Sequence, residues 1–119
     1  MTQAWVVLSR PDRRDISAPT DAQLVAALAD VYGGKIHAPD GVPGSATLKF
    51  GYDDGLMYQV EVEPDGAVRY EEWSDRDCEI ALASPRHMSC KQEDALQIWQ
   101  WLAQRQVAKI RSQAWMSDD

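Results

Sequence analysis

The sequence predicts an α+β fold: an antiparallel sheet of four or five strands with two helices packed on one face. Two observations predict the sheet. Asp53-Asp54-Gly55 and Pro64-Asp65-Gly66 both read as three-residue hairpin loops with glycine at the left-handed position, and the registers those loops impose, read independently, gather the apolar residues on one face. A third observation predicts the helices. Thr20 with Gln23, and Ser89 with Gln92, each form a capping-box pattern ahead of apolar residues at helical spacing.

In chain order, residues 5–8 (Trp5-Val6-Val7-Leu8) form a short strand-like run, ended by a polar stretch containing Pro11. Thr20 opens a helix that carries Leu24, Leu28, Val31 and Tyr32 on one stripe and ends at Gly33-Gly34. Residues 35–45, with Pro39, Gly41, Pro43 and Gly44, read as a loop. The first hairpin then sets Phe50 opposite Tyr58 and Leu48 opposite Val60, and the second sets Val62 opposite Val68 and Val60 opposite Tyr70. A polar loop containing Pro85 follows. The second helix starts at the Ser89 box, and Ala95, Leu96, Ile98, Trp99, Leu102 and Ala103 form its apolar stripe. Residues 107–115 are expected to return as a final strand. The whole of 1–119 is read as one domain, with 1–3 and 116–119 frayed.

The opposite face of the meander carries Thr47, Lys49, Met57, Gln59, Glu61, Glu63, Arg69, Glu71 and Trp73, and the same register pairs Glu61 with Arg69 and Met57 with Trp73. This places a tryptophan and a methionine beside carboxylates on the face expected to be wet. The chain of 119 residues has a formal net charge of −7, unevenly spread. Residues 53–79 contain ten acids against Arg69 and Arg76, a local charge of −8. Such a field repels nucleic acid and anionic membranes and attracts basic partners. It also serves solubility, the simpler reading of the same charges. Arg105, Lys109 and Arg111 are too few to offset this field for nucleic-acid binding, and Arg10, Arg13 and Arg14 read as a small basic patch in a solvated loop.

Catalytic signals are weak. The sequence has no glycine-rich phosphate loop, nucleophile elbow or metalloprotease helix motif, and His37 and His87 are its only histidines. Cys78, His87 and Cys90 are spaced poorly for zinc, which takes about four ligands, usually in close pairs. Neighbouring carboxylates such as Glu71 and Glu72 point to opposite faces of a strand, poor geometry for shared acid–base work. No enzyme, metal or cofactor is therefore expected. Residues 1–5 show no secretion signal and no apolar run approaches a membrane span, so a cytoplasmic location and no membrane partner are expected.

The order of elements carries a resemblance. A capped helix precedes a meander containing Leu48-Lys49-Phe50-Gly51-Tyr52-Asp53-Asp54-Gly55-Leu56, an acidic segment follows, and His87-Met88-Ser89-Cys90 opens an Ala/Trp/Leu helix before a terminal strand closes at Trp115. Over residues 20–115 this resembles the immunity proteins of bacterial polymorphic toxin systems, in the group paired with deaminase-type toxins. The resemblance implies a cytoplasmic inhibitor that binds and blocks a cognate toxin domain with a basic cleft. The residues expected to meet that partner are Asp53, Asp54, Met57, Glu61, Glu63, Glu71, Glu72, Trp73, Asp75, Asp77 and Glu79. The alternative is a phage-type inhibitor or adaptor that turns the same acidic face on a host nucleoprotein complex.

Overall fold

A computed structural model describes residues 4–11, 14–37, 41, 44–52, 55–74, 86–113 and 115–117 of the chain. The fold is α+β, and all pairings in its sheet are antiparallel. Five strands have four residues or more: β1 (Ala4–Ser9), β3 (Ala46–Tyr52), β4 (Met57–Val62), β5 (Ala67–Trp73) and β6 (Arg86–Ser89). Two-residue strands, β2 (Ile16–Ser17) and β7 (Met116–Ser117), extend the edges, giving the order β2-β1-β3-β4-β5-β6-β7.

Both predicted hairpin registers are present. Phe50 pairs with Tyr58 and Leu48 with Val60; Val60 pairs with Tyr70, Glu61 with Arg69 and Met57 with Trp73. The turns close as glycine permits, with Gly55 at φ 113° and Gly66 at φ 88°. At Gly66 a side chain would also collide with the Cys90 carbonyl, since an added Cβ would sit 2.9 Å from that oxygen.

Helix α1 (Asp21–Tyr32) starts at the Thr20 capping box: Thr20 Oγ1 accepts from the Gln23 N–H while Gln23 Oε1 accepts from the Thr20 N–H. It buries Leu24, Ala27, Leu28 and Val31. Helix α2 (Gln92–Ala103) buries Ala95, Ile98, Trp99 and Leu102. Both stripes meet one face of the sheet, the face of Leu8, Leu48, Phe50, Val60, Val62, Val68 and Tyr70. Trp99 is wholly buried there, and its indole N–H donates to the Val60 carbonyl at 3.1 Å. Removing that much aromatic surface from water is the largest single contribution of α2 to the core.

Four expectations are corrected. Ser89 does not cap α2: it ends β6, Lys91 takes the N-cap position, and no side chain caps the helix. Residues 107–115 do not form a strand. Val107–Arg111 is a short helix, α3, and the returning strand is Met116–Ser117, read from sequence as frayed. The expected polar loop before α2 contains β6, which pairs with β5 through Val68–Met88 and Arg69–His87. Arg10 is not a solvated patch residue either. It is 8% exposed, and its guanidinium pairs with Asp30 of α1 at 3.1 Å.

Candidate functional site

Strand alternation leaves the second face of the sheet without a described helix on it. Across this face the register aligns three rows. One row runs Trp5, Gly51, Met57, Trp73; the next runs Val7, Lys49, Gln59, Glu71; the third runs Ser9, Thr47, Glu61, Arg69, His87.

The first row is aromatic. The Trp5 indole lies over Gly51 so closely that a Cβ there would come within 2.8 Å of Cε2 of the ring. Met57 follows in the row between Gly51 and Trp73, and it is 2% exposed. This corrects one predicted site residue: Met57 is on the expected face but buried, so it backs that surface instead of being displayed on it. Trp73 is half-buried and is oriented by a neighbour two residues away. Its Nε1–H donates to Glu71 Oε2 at 2.8 Å, while Glu71 Oε1 pairs with Arg69 Nε at 2.8 Å. Both oxygens of Glu71 are thus engaged within the face, and its side chain is only 13% exposed.

At the far end, Glu61 accepts from Ser45 Oγ at 3.1 Å. Glu63 sits at the tip of the second hairpin, and partial burial, reinforced by the carboxylates of Glu61 and Asp65, pushes its carboxyl above the ordinary range against the opposing charge of Arg69. Among the described residues, Glu61, Glu63 and Glu71 share this face with Lys49 and Arg69. Its charge is therefore more mixed than the −8 of residues 53–79 suggests.

Glu72 is a second correction. It belongs to the opposite, helix-facing side, where it is 7% exposed and pairs across the sheet with Tyr58. Its carboxylate accepts from Arg111 Nε at 2.7 Å, Arg111 Nη2 at 3.1 Å and Tyr70 Oη at 2.6 Å. Burial alone would raise its pKa, but these hydrogen bonds and the charges of Arg111 and Arg86 outweigh it and hold the carboxyl below its ordinary value. Glu72 therefore fastens α3 to the sheet, on the side away from the face expected to carry it. Asp53, Asp54, Asp75, Asp77 and Glu79 lie outside the described residues. The site thus brings together Glu61, Glu63, Glu71 and Trp73, and the sequence reading missed Trp5, which the β1–β3 pairing adds to the row.

Cys78 also lies outside the described residues. His87 is on the outer face of β6, and Cys90 follows that strand with its thiol raised by burial and by the nearby charge of Asp94. Among the described residues no group of three His, Cys, Asp or Glu side chains is placed to hold a metal ion. No helix is long and apolar enough to cross a membrane. No protein-family profile, curated protein or solved structure matches the chain.

Proposed function

We propose that the protein acts by binding another protein through this sheet face, as an immunity protein that blocks a toxin domain acting on nucleic acid. One observation carries the reading. A sheet face with no described helix on it displays Trp73, hydrogen-bonded in place by Glu71 and backed by buried Met57, beside the carboxylates of Glu61 and Glu63. Preoriented aromatic residues inside a charged rim are the usual anchors of protein interfaces. A toxin acting on nucleic acid presents a basic cleft, because phosphate contacts dominate its affinity, and the carboxylates of Glu61 and Glu63 on this face complement such a cleft.

The assignment to immunity proteins rests on the order of sequence elements, and β6 and α3 depart from the pattern that suggested it. The binding face does not depend on that assignment. Affinity capture from the native cell lysate tests both. The expected result is a basic protein whose activity on DNA or RNA stops when one equivalent of this chain is added. Capture of a phage or host nucleoprotein component would replace the immunity reading while keeping the face. Capture that is equally efficient with a Trp73→Ala, Glu63→Gln chain would remove the face.

A further inference from the structure

A cleft of about 440 Å³ opens between the β1 edge and the C-terminal end of α2, lined by Trp5 but by neither Met57 nor Trp73. The two non-glycine residues with positive φ among those described, Ala18 at 50° and Arg105 at 64°, both line it. The reason differs at each position.

Ala18 ends β2. Its N–H donates to the Val6 carbonyl at 2.8 Å, and Pro19 then turns the chain away. Thr20, which would face Ala4 if the register continued, caps α1 instead. Successive residues of an antiparallel strand bond to opposite neighbours, so Ala4 directs its backbone N–H and C=O to the same side as Val6. Among the described residues no strand lies beside Ala4 there. Among the described residues the cleft therefore contains a short open sheet edge, of the kind to which extended peptides add as a further strand.

Arg105 follows α2 in a Schellman turn, with Gln106 N–H donating to the Trp101 carbonyl at 2.8 Å and Arg105 N–H to the Leu102 carbonyl at 3.0 Å. This left-handed position favours glycine, and an arginine occupies it at a conformational cost. Arg105 is also the one charged residue among the described lining, whose other walls include Ala4, Val6, Pro19 and Ala103.

We infer that this cleft binds the C-terminal end of an extended peptide with an apolar last residue: the peptide backbone pairs with Ala4, its last side chain lies against Val6 and Ala103, and its terminal carboxylate pairs with Arg105. Charge complementarity fixes the carboxylate end, the open edge calls for an extended backbone, and the volume suits a few residues.

The test is an NMR titration of the full chain with the probe acetyl-Ala-Val-Ala-Leu as the free acid and as the C-terminal amide. The acid should shift the amides of Ala4, Val6 and Ala18 saturably, and the amide form should bind about tenfold or more weakly. Arg105→Gly should weaken the acid by a similar factor while the melting temperature holds or rises, because glycine relieves the turn. A merely structural arginine would not separate these two readouts. No saturable shift at millimolar acid, equal binding of acid and amide, or unchanged binding to Arg105→Gly would each overturn the site.

Discussion

The Arg111 guanidinium grips the Glu72 carboxylate through two nitrogens, at 2.7 and 3.1 Å, and so joins the five-residue helix α3 to a strand 39 positions earlier in the chain. Beside this pair, Trp115 stacks on Tyr70 with centroids 5.6 Å apart and donates its indole N–H to the Ile110 carbonyl. The C-terminal segment is thus held by a polar clamp and one aromatic stack.

The clamp predicts an acid dependence. The folded Glu72 carboxyl titrates below its ordinary value, so its contribution to stability is present above the ordinary carboxylate range and is lost as pH falls through the folded value. Urea melts of the wild type and Glu72→Gln should differ most near neutrality and converge as pH falls below the ordinary carboxylate range. Arg111→Met should cost about 2 kcal/mol at pH 7, less than a fully buried pair, because the arginine side chain is 47% exposed and solvent screens it.

The close approach of Trp5 to Gly51 predicts a steric effect. Gly51→Ala puts a methyl group against the indole and within 2.9 Å of the Leu56 carbonyl, and should cost about 2 kcal/mol or more in urea unfolding. Replacing Trp5 by Leu in the same chain should recover part of that loss, so the two changes combine non-additively. Additive losses would show that the indole does not press on Gly51.

The uncapped start of α2 predicts a gain. Lys91 has the extended backbone of an N-cap residue, φ −70° and ψ 159°, but its side chain makes no capping hydrogen bond. Lys91→Ser supplies the missing acceptor and should stabilise the fold by about 1 kcal/mol, read as a shift in the urea midpoint at constant slope.

These residues also show what the sequence could carry. The meander register was legible because glycine-containing loops of fixed length determine which residues face each other, and Thr20 with Gln23 was legible because a capping box is local chemistry. The same register already placed Glu72 on the apolar side of the sheet, where a carboxylate requires a partner. That partner, Arg111, is set by tertiary packing and has no local sign. Ser89 matched a cap pattern two residues too early, since β5 recruits residues 86–89 as a strand first. Helix α3 is barely one turn long and β7 is two residues, too short for any periodicity to show. Met57 was assigned to the correct face, but its burial has no sign in hairpin geometry, and neither does the pairing of β1 with β3 that brings Trp5 into the same row.

The two kinds of side chain on the proposed binding face predict different kinetics. Glu63→Gln with Asp65→Asn removes exposed charge at the hairpin tip, so it should mainly slow association with a basic partner and flatten its salt dependence. Trp73→Phe keeps an aromatic ring at the position paired with Met57 but removes the hydrogen bond to Glu71, and should give a partial loss of affinity with an unchanged melt.

The most direct measurement is the dissociation rate of the captured partner from the wild type and from Trp73→Ala, by surface plasmon resonance at fixed salt, with the variant first shown to unfold cooperatively. An anchoring indole predicts dissociation about thirtyfold faster, equivalent to about 2 kcal/mol, at nearly unchanged association. Equal dissociation rates would show that Trp73 lies outside the interface and would contradict the assignment of this sheet face as the binding site.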